Sequence, residues 1–104
     1  MNEEIVEQAM TIILHAGNAK ATVIEAMNAF VENNDVEMVK NKIDEAGKEL
    51  GKAHEIQTSL LFDEMQGKDS KVGILMVHAQ DHFMNAITIR DLANIMIQMA
   101  ERKQ

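Results

Sequence analysis

Only two short polar segments interrupt the apolar periodicity of this 104-residue chain, and this feature most restricts its possible folds. The segments are Glu32-Asn33-Asn34-Asp35 and Gln66-Gly67-Lys68-Asp69-Ser70, and no proline breaks a helix elsewhere. Two interruptions predict three long helices, which form one all-α domain, an antiparallel three-helix bundle with up-down-up order. The single domain is predicted to cover residues 1–104 and its helices about residues 3–31, 36–66 and 71–102.

Both interruptions contain residues that are typical of helix ends. Asp35 is the predicted N-cap of the second helix, because its carboxylate can accept a hydrogen bond from a free backbone N–H. Gly67 suits the position that follows the second helix, where the backbone favours glycine. Asp69 or Ser70 is the predicted N-cap of the third helix.

The first two helices show stripes of apolar residues. In the second helix these residues alternate by three and four positions, and only Gln57 interrupts the seam. The seam is Val36, Val39, Ile43, Ala46, Leu50, Ala53, Gln57 and Leu60. The first helix has a looser stripe that is expected to face the core, with extra apolar residues at Ile12, Leu14 and Val23. This stripe is Val6, Met10, Ile13, Gly17, Ile24, Met27 and Val31.

The third helix is apolar on every side. Between Val72 and Ala100 its only charged residues are Asp81, Arg90 and Asp91. Two neighbouring helices cannot cover all sides of such a helix, so a monomer would leave an apolar face in water. We therefore predict that several copies of the chain pack around a common axis through this helix.

The net charge of the chain limits its partners. Ten basic residues against 17 acidic residues give a formal charge of −7. This charge disfavours nucleic acid or an anionic membrane surface as the main partner and favours an electropositive protein surface. The chain has no cysteine, which excludes disulfides and thiolate metal sites. Its acidic N-terminus and short charge-free stretches predict no signal peptide, no membrane insertion and a soluble, intracellular protein.

One cluster of polar side chains on the third helix is not explained by packing. At about 100° per residue, His78, Asp81 and His82 share a sector about 100° wide. Burying these groups without partners would cost free energy, so we interpret the cluster as functional. The isolated His15 and His54 are interpreted as packing residues, with His54 a weaker candidate for the same site.

Two kinds of catalysis suit this cluster. His78 and His82 are four residues apart and could share a zinc ion in a hydrolase, but the acid is Asp81 rather than Glu, and no third ligand stands out. Alternatively, a neutral imidazole could accept a phosphoryl group and pass it on. The chain has no glycine-rich phosphate loop, so no nucleotide is expected, and the donor should be another phosphoprotein.

Asp81 has a separate predicted role in an assembly. If the third helices surround an axis, symmetry brings copies of this carboxylate close together. Like charges in a low dielectric require either protons or a shared cation. Oxygen ligands favour a hard divalent cation such as Mg²⁺.

Three segments together carry a resemblance to one known family. Val77-His78-Ala79-Gln80-Asp81-His82-Phe83-Met84 has the pattern of its active-site signature. Ala53-His54-Glu55-Ile56-Gln57-Thr58-Ser59-Leu60 is similar to its Ala-His-x-x-Gln-Thr-x-Leu block, and Ala16-Gly17-Asn18-Ala19-Lys20 to its Ala-Gly-Asp-Ala-Arg block. The sequence therefore resembles the lactose/cellobiose-type enzyme IIA of the bacterial phosphoenolpyruvate-dependent sugar phosphotransferase system. It departs from the family pattern at Lys20, and at Asn34-Asp35-Val36 where Gly-Asp-Phe is familiar.

The resemblance implies a cytoplasmic homotrimer that acts as a phosphotransferase. His78 would carry the phosphoryl group on Nε2, and Asp81 from three subunits would bind the central cation. The phosphocarrier protein HPr would supply the phosphoryl group. The cognate enzyme IIB would receive it on a cysteine, and the membrane enzyme IIC would be an indirect partner.

Supporting roles follow from the same reasoning. His82 or Gln80 would orient the phosphoryl oxygens by hydrogen bonds, and Gln57 would either support them from the second helix or be a simple core amide. The sequence does not identify the sugar, although Ala79 beside His78 is more similar to cellobiose and chitobiose members of the family than to lactose members. The competing interpretation is a non-enzymatic oligomerisation module whose His and Asp cluster responds to pH or binds metal.

Overall fold

The computed structural model describes residues 3–68 and 73–103 and forms three α-helices, with no strand in these two ranges. This result confirms the all-α prediction. The predicted start of the third helix at residue 71 and its predicted caps, Asp69 and Ser70, lie outside the described residues. The helices are α1, Glu3–Asn33; α2, Val36–Met65; and α3, Ile74–Arg102.

The three helices lie side by side and neighbours in sequence run antiparallel. The molecule measures 53 × 21 × 18 Å, and a helix of 31 residues is itself about 46 Å long. Near one end, Lys40 Nζ donates to Glu101 Oε2 at 2.6 Å, and further along, Gln57 contacts Gln80. Because residue numbers rise along α2 as they fall along α3, these two helices are antiparallel. The short connection between α1 and α2 imposes the same relation on the first pair.

The α2 seam predicted from the sequence faces the core. Its central members are almost fully buried, whereas Gln57 and Leu60, at its end, are half-buried. Spacings of three and four keep such residues on one side of a helix, so the local pattern was sufficient to find this face. The buried members are Val39, Ile43, Ala46, Leu50 and Ala53.

The stripe predicted for α1 is correct only in part, because four of its seven members are half-buried and none is fully buried. Met10 and Ile24 are 52% and 43% exposed, and Val31 is 81% exposed. The buried face is built instead from small residues, with Ile12 and Val23 as its only large members. Alanine allows two helix backbones to approach closely, and α1 packs against both α2 and α3. The buried residues are Ala9, Ile12, Ala16, Ala19, Val23 and Ala26.

The ends of α2 have the predicted chemistry. Asp35 has extended backbone angles, and its Oδ1 accepts a hydrogen bond from the Met38 N–H at 3.0 Å. At the other end Gly67 has φ of 80°, and its N–H donates to the Glu64 carbonyl at 3.0 Å. The next N–H, of Lys68, donates to the Asp63 carbonyl, which completes a Schellman motif. Both ends of α2 are thus closed by local hydrogen bonds.

α3 has one buried and one exposed face. Met76, Ala79, Phe83 and Ala86 belong to the buried face, and α3 begins after Gly73, which makes no side-chain cap. Several large apolar residues on the opposite face keep half or more of their surface exposed in the single chain. These are Ile74, Val77, Met84, Leu92, Ile95, Met96 and Met99. Asp81 lies in the middle of this face, and His78 and His82 lie to one side of it.

Candidate functional site

His78 and His82 lie one turn apart on α3 and contact each other. Their Nε2 atoms are 3.1 Å apart, and their ring centroids are 4.5 Å apart with the ring planes at 86°. Ala79 and Phe83 anchor the other side of α3 in the core, so the two imidazoles point away from it. His78 is exposed and His82 is half-buried. The structure therefore brings these two sequence-predicted residues together and leaves the His78 ring accessible.

The contact between the two rings restricts which of their nitrogens carry protons. When two imidazole nitrogens form a hydrogen bond, one nitrogen donates and the other accepts. If Nε2 of His82 carries the proton, Nε2 of His78 presents a lone pair, and the proton of His78 is on Nδ1. This neutral tautomer is the form of the imidazole that attacks an electrophile. In this tautomer the His78 lone pair accepts the His82 N–H, so that hydrogen bond must open before Nε2 can act as a nucleophile.

Gln57 and Gln80 form a second polar pair, between α2 and α3. Gln57 Nε2 donates to Gln80 Oε1 at 2.6 Å, and Gln80 Nε2 lies 3.8 Å from Met76 Sδ. Gln80 follows His78 by two positions, about 200° around the helix, so the two side chains leave α3 in different directions. The structure thus joins the two glutamines to each other but does not bring them to His78 of the same chain.

Asp81 is exposed on α3 between these two pairs. No cation pairs with its carboxylate among the residues that the structure describes. Within residues 3–68 and 73–103 of one chain, no three His, Asp or Glu side chains converge on a possible metal position. One carboxylate is a suitable oxygen donor for a hard cation, but a complete site would need donors from outside this chain.

Neither His15 nor His54 is fully buried: His15 is half-buried in a polar contact, and the exposed His54 packs on the buried Phe83. His15 Nδ1 donates to Glu49 Oε1 at 2.7 Å, across the contact of α1 with α2. Asn18 Nδ2 donates to the same oxygen at 3.2 Å. The hydrogen bond from His15, and then that from Asn18, hold the pKa of Glu49 below its usual value. The exposed His54 ring stacks on Phe83, with centroids 6.2 Å apart.

No local sequence pattern predicts two of the charged residues that the structure places between helices. Glu49 accepts the two bonds from α1, and Arg90 lies over Gly47 of α2. Neither contact has a signature in local spacing, since each joins residues from different helices. The one available signal was the repeat of Gly47 and Gly51 within a helix, where glycine is unfavourable.

Comparison with known proteins identifies the class of this three-helix protein as a component of the phosphotransferase system. Residues 7–101 match the family model described as the PTS system, lactose/cellobiose specific IIA subunit. The chain belongs to this family. The resemblance inferred from the His78, His54 and Gly17 segments is thereby confirmed.

Individual relatives are similar over nearly the full chain. The chain is 42% identical over 102 residues to the lichenan-specific phosphotransferase enzyme IIA component of Bacillus subtilis (strain 168), covering 98% of this chain and 92% of that protein. The crystal structure of PtcA from S. mutans matches with a TM-score of 0.91 at 43% identity, covering 97% and 99% of the two chains. The PTS cellobiose-specific enzyme IIA from Bacillus anthracis matches with a TM-score of 0.88 at 30% identity, covering 98% and 93%.

Family membership defines the general role of the chain. It is a phosphocarrier component of a sugar phosphotransferase system, and the family's partners are HPr and enzyme IIB. None of the helices in the described ranges is long and apolar enough to cross a membrane.

Proposed function

We propose that His78 accepts a phosphoryl group from phosphorylated HPr and passes it to the cognate enzyme IIB. In the first step a bond forms between His78 Nε2 and phosphorus while the phosphorus–nitrogen bond on HPr breaks. In the second step the bond to Nε2 breaks as a cysteine sulfur of enzyme IIB attacks phosphorus. The phosphohistidine is the only covalent intermediate on this chain, and no nucleotide takes part.

The observation that carries this proposal is the exposed His78 ring with its Nε2 atom 3.1 Å from Nε2 of His82. An incoming phosphoprotein can reach a ring that faces solvent. Before transfer the His82 N–H donates to the His78 lone pair; this hydrogen bond opens as phosphorus approaches Nε2, and the same N–H then donates to a phosphoryl oxygen. Hydrogen bonds to charged groups contribute about 1.5–3 kcal/mol, so His82 supports the transfer without being the acceptor.

Phosphate labelling tests the relay. The chain is incubated with radiolabelled phosphoenolpyruvate and the general phosphotransfer proteins, and acid-labile label on the chain is counted. His78→Ala should accept no label, and His82→Ala should accept it about 10- to 100-fold more slowly. His15→Ala is the matched control, since it removes an imidazole elsewhere and should label normally. Label on His78→Ala would refute the proposal.

The proposal includes a homotrimer built on the outward face of α3. At about 100° per residue, Asp81 lies nearly opposite the centre of the buried face, and Ile74, Leu92 and Met99 lie within about 20° of it. A carboxylate thus occupies the middle of an exposed apolar face. A groove of about 230 Å³ beside this face is lined only by apolar side chains from α1 and α3. Packing α3 helices together would bury these surfaces.

A trimer of this kind would complete the site. His78 and His82 leave α3 on one side of Asp81, and Gln80 leaves it on the other, towards α2. Around a three-fold axis through Asp81, the His78 side of one subunit meets the Gln80 side of the next. A neighbouring Gln80, held by its own Gln57, would then donate to the phosphoryl oxygens on His78.

The Asp81 carboxylates of three subunits would share one divalent cation, which we propose to be Mg²⁺. An exposed carboxylate without a partner in the described part of its own chain fits an oxygen-ligated ion at an axis. The cation would offset repulsion between three negative charges. It has no role in phosphoryl transfer itself.

The proposed relay also defines where the chain works and what limits its specificity. Because phosphorylated HPr is its donor, the chain acts in the cytoplasm, and it reaches the membrane enzyme IIC only through enzyme IIB. Its relatives carry lichenan, lactose and cellobiose in their names, so a β-linked disaccharide of the cellobiose, chitobiose or lactose type is the proposed sugar. The chain itself does not contact the sugar.

A further inference from the structure

A cavity of about 290 Å³ opens between α2 and α3, on the side of α3 away from the outward face. Its floor is apolar, and its polar side chains are His54 of α2 and Arg90 of α3. This volume is close to the lower end of small-molecule pockets, about 300–1,000 Å³. The cavity is lined by Gly47, Leu50, Gly51, His54, Phe83, Ile87 and Arg90.

Two glycines on α2 create this space. Gly47 and Gly51 are one turn apart inside the helix and have negative φ, so the backbone does not require glycine there. A Cβ atom on Gly51 would meet nothing within 4 Å, and one on Gly47 would lie 3.7 Å from Arg90 Nη1. Close helix packing therefore does not explain them either, although each costs about 1 kcal/mol relative to alanine. Their effect is to leave one wall of the cavity open.

Arg90 has unused hydrogen-bonding capacity at this cavity. Its Nε and Nη2 atoms both donate to Asp91 Oδ1, at 3.3 Å and 3.0 Å. Nη1, which lies over Gly47, has no acceptor in the described part of the chain. A guanidinium is always charged and binds oxyanions with directed N–H groups. The His54 ring, stacked on Phe83, offers a second nitrogen at the rim.

We infer that this cavity binds a small organic oxyanion, with its phosphate or carboxylate on Arg90 and His54. An apolar body the size of one ring would lie on Leu50, Phe83 and Ile87. The basic group, the apolar floor and the open glycine wall belong to one cavity, although the chain as a whole is strongly acidic. This inference is independent of the phosphocarrier role, because none of these side chains takes part in the proposed transfer.

Binding of phenyl phosphate and benzoate to the full-length chain tests the inference, with phenol and inorganic phosphate as partial probes. Titration followed by backbone amide NMR should show saturable shifts centred on His54, Phe83 and Arg90 with either aromatic anion. The tighter of the two identifies the preferred oxyanion. Phenol should bind at least about tenfold more weakly, because it lacks the charge that Arg90 would bind. Equal binding of phenol, or shifts centred elsewhere, would overturn the inference.

Two matched pairs of variants locate the site. Arg90→Gln should weaken binding about tenfold or more, whereas Arg102→Gln, the same charge change at the end of α3, should not. Gly51→Leu should fill the cavity and abolish binding, whereas Gly51→Ala should preserve it. Both changes at Gly51 raise helix propensity, so unfolding of α2 is not the expected cause of a loss. Unchanged binding to Arg90→Gln or Gly51→Leu would contradict the proposed site.

Discussion

Every polar side chain of the proposed site lies at the edge of the bundle or outside it. Among the described residues no polar or charged residue is buried, and the core consists of apolar side chains alone. His78 and Asp81 therefore keep contact with water in the single chain and pay no large desolvation cost. A nucleophile that must meet two protein partners in turn benefits from this exposure.

At the same scale, the hydrogen bonds to Glu49 make one contribution to stability depend on pH. The pKa of Glu49 is lower in the folded chain than its usual value, chiefly because of the bond from His15. At pH values above the ordinary pKa of a carboxyl group, this lowered pKa stabilises the fold. The stabilisation is lost as the pH falls through the folded-state pKa of Glu49. We expect Glu49→Gln to lower the free energy of unfolding by about 1 kcal/mol at neutral pH, with the difference shrinking in acid.

Urea unfolding of the wild type and Glu49→Gln at a series of pH values, at one protein concentration, measures this effect. Glu45→Gln is the control, because Glu45 is a more exposed carboxylate on the same helix with only an i,i+3 partner. It should change stability by less than about 0.5 kcal/mol. A difference between wild type and Glu49→Gln that grows towards acid pH would contradict the assigned direction.

At the scale of the helices, the turn between α1 and α2 is stabilised by its own side chains. Asn33 Oδ1 accepts a hydrogen bond from the Asp35 N–H at 2.8 Å, and Asp35 caps α2. Asn34 between them has φ of 57°, a left-handed conformation that asparagine tolerates better than most residues. The short connection is thus specified locally, and it sets the antiparallel direction of the first two helices.

Removal of the Asp35 cap should destabilise the protein. Asp35→Ala deletes the bond to the Met38 N–H and a negative charge near the N-terminus of α2, and should lower the free energy of unfolding by about 1 kcal/mol. Thermal and urea unfolding measure the change. Lys48→Ala, an exposed substitution in the interior of α2, should have an effect near zero. Equal stability of Asp35→Ala and the wild type would show that the cap contributes nothing.

Across the molecule as a whole, the outward face of α3 is the main apolar surface that a single chain leaves exposed to water. Met84, Leu92 and Ile95 each remain about half exposed, and Leu92 also lines the apolar groove between α1 and α3. Burial of apolar surface stabilises by about 25 cal/mol per Å², so association through this face would add to a modest core. The proposed trimer follows from this surface together with the position of Asp81.

Asp81→Leu tests the trimer and its shared cation together. The change replaces repelling carboxylates at the axis by apolar contacts, so the trimer should persist without divalent ions and gain about 1 kcal/mol or more in stability. Light scattering after gel filtration, with and without a chelator, measures the mass. Asp44→Leu, which removes an exposed acid on α2, should behave as the wild type.

Two results would reject parts of this assembly. A monomeric wild type at micromolar concentration and neutral pH would reject the trimer. An intact trimer in which elemental analysis detects no divalent ion would reject the shared cation but leave the assembly and the phosphorylation site standing.

The features that depend only on residues close together along the chain could be predicted from the sequence. These include the number of helices, the Asp35 cap, the Gly67 turn and the buried seam of α2. Each rests on local hydrogen bonds or on a spacing of three and four residues, which needs no knowledge of the rest of the fold. The contact between His78 and His82 belongs here as well, since four residues along one helix place two rings on one side.

The sequence pattern does not predict which side of α1 faces inward or which side chains meet between helices. Both depend on tertiary packing. The bond from Gln57 to Gln80, the bond from His15 to Glu49 and the cavity beneath Arg90 all depend on the rotation and axial offset of packed helices. On α1 the stripe of large apolar residues is displaced to one side of the buried face, because close backbone approach favours alanine at the centre of the contact. These contacts depend on how the surfaces of the packed helices fit together, and local periodicity contains no information about that fit.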